Sequence, residues 1–304
     1  MEIDFDFQRE RKLGEIVQDF INLLRLVLRH FFQTIFKLAV IPLCCMLVLI
    51  YYGTTRINLS AATGFSQSLD LIGIAMSVFL GLILVSMVFF GLAIEYFILL
   101  KNSRSTDFDS RDVWQAFVQH LSKYLTFLVV AIVALFILVI PIAVTMLILA
   151  FIPLVGSFAI GILGTFVGVW FFCAFLLYRE EYVDAGGSLQ KAFSMLRKKI
   201  IDYSVAAYVV SFVFQVLMLM LSLMPALILG IVAYNTIGFD DNFFESPFGR
   251  MLVSFGATLV VLLYIVYYMF SVLVYGIIYE TIKEIAFGEN IYEKIGRIGG
   301  QHNV

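Results

Sequence analysis

Charge is scarce in this sequence. Asp, Glu, Lys and Arg together make up 14% of it, where a soluble domain carries about a quarter. With 62% hydrophobic residues and a mean hydropathy of +1.00, the chain is expected to live in a bilayer rather than in water. A net charge of −2 provides no bulk basic field for nucleic acid, so any electrostatic argument must rest on where the cations sit. Cysteine and histidine are equally sparse, at three each. Cys44, Cys45 and Cys173 fall inside apolar stretches without C-x-x-C or Cys/His spacing, which makes them small apolar residues rather than disulfides or metal ligands. His30, His120 and His302 are too scattered to suggest a metal site, and His30 and His120 read as amphipathic residues at headgroup level.

Several sequence patterns are also missing. The start, "MEIDFDFQRERKLG", lacks the short apolar run and small-residue cleavage site of a signal peptide, so the first span is expected to act as an uncleaved anchor. No H-E-x-x-H, G-x-S-x-G, P-loop or dinucleotide glycine pattern occurs. No nucleophile and base are set to face each other, so no catalytic residue, cofactor or metal is assigned.

What the chain does have is long apolar runs. Six are long enough for a hydrocarbon core that needs about 20 helical residues: 34–53, 71–100, 124–151, 155–178, 202–234 and 251–285. They are continuous Leu, Val, Ile and Phe runs rather than the alternating segments of a barrel, so the expected class is all-α integral membrane. Pro153 and Gly156 in "FIPLVG" should break the chain between the third and fourth spans. With the N-terminus inside, 18 of the 20 basic residues fall on the cytoplasmic side, leaving only Arg56 and Arg250 outside. That asymmetry follows the positive-inside rule and sets both termini in the cytoplasm. The outer loop "NTIGFDDNFFESPFG" then reads as an acidic, aromatic interfacial lid.

Three amphipathic stretches precede spans. "GEIVQDFINLLRLVLRHF" sets Ile16, Phe20, Leu23, Val27 and Phe31 against Glu15, Gln18, Asp19, Asn22, Arg25 and Arg29. "SRDVWQAFVQHLSKYLTF" sets Val113, Ala116, Phe117, Leu121 and Tyr124 against Gln115, Gln119, Ser122 and Lys123. From Ser188, the expected N-cap after a flexible Gly186–Gly187 lead, Leu189, Ala192, Phe193, Leu196 and Ile200 oppose Gln190, Lys191, Ser194, Arg197 and Lys198. All three are expected to lie on the membrane, their cations facing an anionic leaflet at about 1 kcal/mol each. The belt comprises Arg25, Arg29, Lys123, Lys191, Arg197, Lys198 and Lys199. The cores "QDFINLLR", "QAFVQHLSK" and "KAFSMLRK" align on Phe20, Phe117 and Phe193. Each is followed by two spans, the first carrying Pro42, Pro141 or Pro225, which permits a kink. The expected organisation is a threefold repeat of interfacial helix, span, span over 11–101, 110–181 and 188–287, with a cytoplasmic tail at 288–304.

The acidic end of the fourth span, running through "REEYVDAGGSLQKAFSMLRKK" into the next amphipathic helix, resembles the bacterial six-span family of glycerophosphoryl diester phosphodiesterase membrane domains and its uncharacterised YciC-like relatives. Glu180 or Glu181, Ala192, Phe193, Leu196 and Arg197 occupy the positions that carry the likeness. The resemblance implies a stand-alone membrane domain, since in that family the phosphodiesterase activity resides in an attached soluble barrel.

Few polar groups fall inside the spans. Glu95 in "GLAIE" and Glu280 in "GIIYE" lie toward the cytoplasmic ends of outward-to-inward helices. A carboxylate there opposes the helix dipole and wants a cation, which is expected from the interfacial helices. Gln215 lies in the fifth span, and Tyr264, Tyr268, Ser271 and Tyr275 stripe the sixth; interhelical hydrogen bonding or an amphiphile cavity would use them. Gly161, Gly164 and Gly168 permit a close helix contact, internal or with a partner. The expected function is a non-catalytic scaffold or accessory subunit of the bacterial inner membrane, presenting its basic belt to anionic lipid headgroups or membrane-protein partners. The alternative is a transporter or lipid-handling protein with a cavity among the second, fifth and sixth spans.

Overall fold

A computed structural model describes residues 3–56, 65–153, 155–237 and 247–288. Among these every regular element is helical: α1 (Leu13–Arg56), α2 (Phe65–Ser103), α3 (Ser110–Gln119), α4 (Leu121–Ala150), α5 (Val155–Arg179), α6 (Ala185–Leu196), a 3₁₀ turn (Arg197–Lys199), α7 (Ile200–Ile237) and α8 (Pro247–Phe287). Six of the helices are long and apolar enough to cross a membrane. The chain is an all-α, multi-pass membrane protein. Residues 238–246, which make up most of the proposed outer lid, and the tail from 289 onward lie outside the described residues.

The first interfacial stretch is not a separate element. No glycine or proline lies between Gly14 and Pro42, so nothing interrupts the backbone ladder, and the stretch continues into the span as one helix of 44 residues. That is about 66 Å at 1.5 Å per residue, far more than the hydrocarbon thickness of roughly 30 Å. The second stretch is separated from its span at His120, whose φ of −108° and ψ of 10° break the helix between α3 and α4. The third passes into α7 through the 3₁₀ turn.

α6 begins earlier than its sequence suggests. Asp184, not Ser188, is the N-cap, its carboxylate accepting from the Gly187 N–H at 3.3 Å. Gly186 and Gly187 therefore sit inside the first turn rather than forming a flexible lead. Ser188 is buried, and its hydroxyl donates to the Ala185 carbonyl at 2.8 Å. Residues 151–153 follow α4 as a non-helical turn, while Gly156 lies within α5. A Cβ there would sit 1.8 Å from the Leu149 carbonyl oxygen, so this close approach admits only glycine.

Two compact units partition the chain. One comprises Met1–Phe31, Ile94–Phe212 and Ser271–Val304; the other comprises Phe32–Ala93 and Val213–Phe270. In the first unit the apolar faces of the amphipathic stretches are covered by protein. Ile16, Phe20, Leu23, Val27 and Phe31 are at most 2% exposed, and Val113, Phe117, Ala192 and Leu196 are likewise buried. Phe193 departs from the expected register. It is exposed and rests against Trp170 and Phe166, with ring centroids at 5.5 and 6.3 Å. α4 buries only Tyr124 and Phe127; its other residues are half-buried or exposed, and the exposed apolar ones, Phe136, Ile137 and Ile140 among them, suit a lipid-facing span.

In the second unit α1 and α2 approach at glycines. A Cβ on Gly81 would meet Leu49 at 2.8 Å, and one on Gly53 would meet Val78 at 3.2 Å. Phe270 stacks on Phe214 with centroids 5.1 Å apart and meets Phe32 edge-on at 5.3 Å.

Candidate functional site

The polar side chains of the first unit converge at the C-terminal ends of α2, α5 and α8. Each of these helices is followed by a left-handed residue, Arg104 (φ 49°), Glu181 (φ 65°) and Gly288 (φ 65°) respectively. At α2 and α8 the cap N–H bonds back one turn, Arg104 to the Leu100 carbonyl at 3.0 Å and Gly288 to that of Glu284 at 2.8 Å. Cations in the last turns suit the negative end of the helix dipole; Lys101 and Arg179 occupy those of α2 and α5, and Lys283 lies just before that of α8. Three carboxylates share the same ends, Glu95, Glu180 and Glu280.

These groups form two clusters. In one, Arg179 grips Glu95 bidentately, Nε donating to Oε1 and Nη2 to Oε2, both at 3.0 Å. The Tyr124 hydroxyl donates to the same Oε1 at 3.0 Å. Arg179 Nη2 also lies 2.8 Å from His120 Nδ1. The same Nδ1 also lies 2.8 Å from the Ala116 carbonyl. Beside this cluster, Lys123 donates to Glu181 Oε1 at 2.6 Å and to the Arg179 carbonyl at 3.2 Å. Lys123 holds the exposed Glu181 carboxyl below its ordinary value.

The other cluster is an alternating chain of charges drawn from three helices. Lys101 of α2 donates to Glu280 Oε1 of α8 at 2.9 Å and also to Glu180 Oε1, just past the end of α5. Glu180 Oε2 in turn accepts from Lys283 at 3.2 Å and from the Tyr279 hydroxyl at 2.8 Å. Burial pushes the Glu180 carboxyl up, but Lys101 and Lys283 outweigh it and hold the group below the ordinary value. Glu280 is fully buried, and its Oε2 has no hydrogen-bond partner among the described residues.

A third assembly was not visible in the sequence. The segment before α1 folds onto the same unit, with Ile3 N–H donating to the Arg104 carbonyl at 2.8 Å and Phe7 buried edge-on against Phe97 at 5.9 Å. Its organiser is Arg11, a buried guanidinium that donates to Asp19 at 2.7 Å, to the carbonyls of Phe7, Arg9 and Asp6, and to Thr281 Oγ1 of α8 at 3.4 Å. Burial pulls Arg11 below its ordinary value, and Asp19 opposes that shift. Nothing in the composition separates Arg11 from its neighbours Arg9 and Lys12; only the tertiary fold does. His30 is similarly tied in. Its Nε2 faces the Phe108 carbonyl at 3.1 Å and so carries the proton, leaving Nδ1 to accept from the Tyr96 hydroxyl at 2.9 Å. Both His30 and His120 are thus tied into the protein by hydrogen bonds.

The residues singled out from sequence sort clearly. Glu95 and Glu280 do find cations, but at the ends of α5 and α2 rather than on the interfacial helices. Of the belt, Arg25, Arg29, Lys191, Arg197 and Lys198 are exposed. Lys191 lies over the Phe287 ring at 5.5 Å. Lys123 and Lys199 are engaged by Glu181 and Glu10, the latter at 2.8 Å. In the second unit, the Gln215 amide donates to Tyr267 at 3.4 Å, and Tyr267 is a residue outside the stripe singled out from sequence. That stripe divides, with Tyr264 and Tyr268 exposed and Ser271 and Tyr275 buried. The glycines of α5 serve internal contacts. A Cβ on Gly161 would meet the Tyr208 ring at 2.2 Å and one on Gly168 the Tyr275 hydroxyl at 3.1 Å, while Gly164 faces open space. Among the described residues no group of His, Cys, Asp or Glu is placed to hold a metal ion. No family model, curated protein or solved structure matches the chain.

Proposed function

We propose that this chain is a non-catalytic scaffold or accessory subunit of the bacterial inner membrane. It presents a cytoplasmic-face belt of cations to anionic lipid headgroups and to membrane-protein partners. The observation that carries the reading is the division of its cations into two populations. Arg11, Lys101, Arg179 and Lys283 have low side-chain exposure and are taken up by carboxylates of the same unit. Arg25, Arg29, Arg197 and Lys198 are exposed, and they sit among exposed apolar side chains, Ile21 and Leu28 on α1 and Phe193 and Ile201 at the α6–α7 junction. A cation beside outward-facing apolar groups fits the boundary between acyl chains and headgroups.

The buried pairs support the same reading from the other direction. Carboxylates neutralised by Arg and Lys from different helices lock those helices together, and such pairing is poorly suited to general acid–base work. The likeness of "REEYVDAGGSLQKAFSMLRKK" to stand-alone membrane domains agrees with a chain that acts by assembly. One observation favours the second reading, a transporter or lipid-handling protein: the fully buried Glu280, an ionisable group within a span.

The test is gentle extraction from a bilayer holding equal amounts of anionic and zwitterionic phospholipid, followed by mass spectrometry of the retained lipid and protein. The expected result is enrichment of anionic lipid. In a variant carrying Arg25→Gln, Arg29→Gln, Arg197→Gln and Lys198→Gln that enrichment should fall on the order of a thousandfold, at roughly 1 kcal/mol for each of the four cations. Equal retention of both lipid classes, or retention unchanged in the variant, would overturn the proposal.

A further inference from the structure

We infer that Glu280 is a proton-binding site, reached from the aqueous edge through Glu180 and Lys101. Its geometry is that of a carboxylate held on one side only. Oε1 accepts from Lys101 at 2.9 Å, whereas Oε2 is buried and, among the described residues, accepts from nothing. Neighbouring Glu180 shows the contrast. It shares Lys101 and has Lys283 and the Tyr279 hydroxyl as well. Two carboxylates therefore meet two ammonium groups, and the shared cations are distributed unevenly between them.

The ligand that fits is a proton. An orphaned carboxylate oxygen in a water-poor site is costly, and a proton is the one cation that needs no further ligands there. A metal ion would have a single free carboxylate oxygen to bind and an ammonium group alongside it. Binding converts the Glu280 carboxylate to a carboxylic acid by forming one O–H bond at Oε2, and no bond breaks. The charged groups acting on it are Lys101 from α2, Glu180 past the end of α5 and Lys283 on α8 itself, with the Tyr279 hydroxyl on Glu180 and Arg11 of the N-terminal segment one residue along at Thr281. Access is graded. The side chains of Glu180 and Lys101 are 15% and 11% exposed, while that of Glu280 is 0% exposed.

Occupancy has a structural consequence. With the proton bound, two ammonium groups face one carboxylate, and Lys101 is held by Glu180 alone. The pairing of α2 with α8 then weakens relative to that of α2 with α5, so a proton selects between two arrangements of the helix ends. This inference rests on the buried cluster and is independent of the lipid-binding reading of the exposed cations.

Infrared difference spectroscopy of the full chain in lipid nanodiscs tests it. Acidification should raise a carboxylic-acid carbonyl band that is absent from Glu280→Gln, and Lys101→Met should retain that band to higher pH, because the competing ammonium is gone. An ionised Glu280 hydrogen-bonded to water would leave wild type and Glu280→Gln with identical carboxylic-acid bands, and that outcome overturns the inference. Should Glu280→Gln fail to fold, Lys101→Met decides alone, and a band unmoved by it is equally fatal.

Discussion

Removing Arg179 isolates the energetics of the buried network. Glu95 is 1% exposed and is held by two guanidinium bonds of 3.0 Å and the Tyr124 hydroxyl at 3.0 Å. The gross attraction of unit charges at that separation is roughly 5 kcal/mol at an effective dielectric constant of about 20. Desolvation offsets most of it, so the pair itself contributes little net stability. Arg179→Met leaves an ionised carboxylate buried with one hydroxyl for company, and breaking a buried pair from one side costs about 3–5 kcal/mol. Glu95→Gln added to Arg179→Met removes the orphaned charge while the amide can still meet Tyr124, so the double variant should recover most of the loss. Equilibrium unfolding in mixed micelles, followed by far-ultraviolet circular dichroism, measures all four corners of the cycle. A coupling energy of about 2 kcal/mol or more supports the argument. If the double variant loses the sum of the two single losses, or if Arg179→Met alone is silent, Glu95 is not a buried, paired carboxylate and the reasoning fails.

Further outcomes follow from other parts of the same unit. Gly276→Ala would place a Cβ 2.3 Å from the Phe97 ring, which Phe7 backs at 5.9 Å. The expected destabilisation is about 1–3 kcal/mol, partly relieved by adding Phe97→Leu, and thermal unfolding reads both. Glu181→Gly relieves a left-handed residue at φ 65° at the expense of an ion pair in which Glu181 is 78% exposed. Strain at such a position is about 1–2 kcal/mol and a solvent-screened pair contributes little, so the variant should be neutral to more stable by unfolding. Glu180, whose carboxyl is held below its ordinary value of 4.5, contributes stability that is present above that value and is lost as pH falls through the lowered one. An acid titration of stability in Glu180→Gln should therefore be flatter below pH 4.5 than in wild type.

Local patterning and tertiary partnership differed in how readable they were. Ile16, Phe20, Leu23, Val27 and Phe31 follow helical spacing, so their shared burial could be anticipated from order alone; the covering surface could not, and it is protein rather than lipid. Glu95 and Glu280 stood out because a carboxylate near a helix C-terminus needs a cation. Their partners lie 84 and 179 residues away in the chain, a separation that no local pattern encodes. Phe193 shares helical spacing with Ala192 and Leu196, yet the helix that begins at Ala185 turns those two inward and leaves Phe193 exposed at the edge of the face. Arg11 gave no signal at all, since a guanidinium among other cations near a terminus looks solvated until its carbonyl partners are known.

We propose that the exposed cations of the three amphipathic stretches, among them Arg29 on α1, Arg111 on α3 and Lys198 after α6, face one leaflet, the cytoplasmic one, and the most direct test is sidedness labelling. In a background with Cys44, Cys45 and Cys173 replaced by Ala, single cysteines at Arg29, Arg111 and Lys198 would be treated with a membrane-impermeant maleimide, first outside intact cells and then in inverted vesicles. The account predicts that all three react only in the inverted vesicles. Reaction of any one of them from outside intact cells would contradict it.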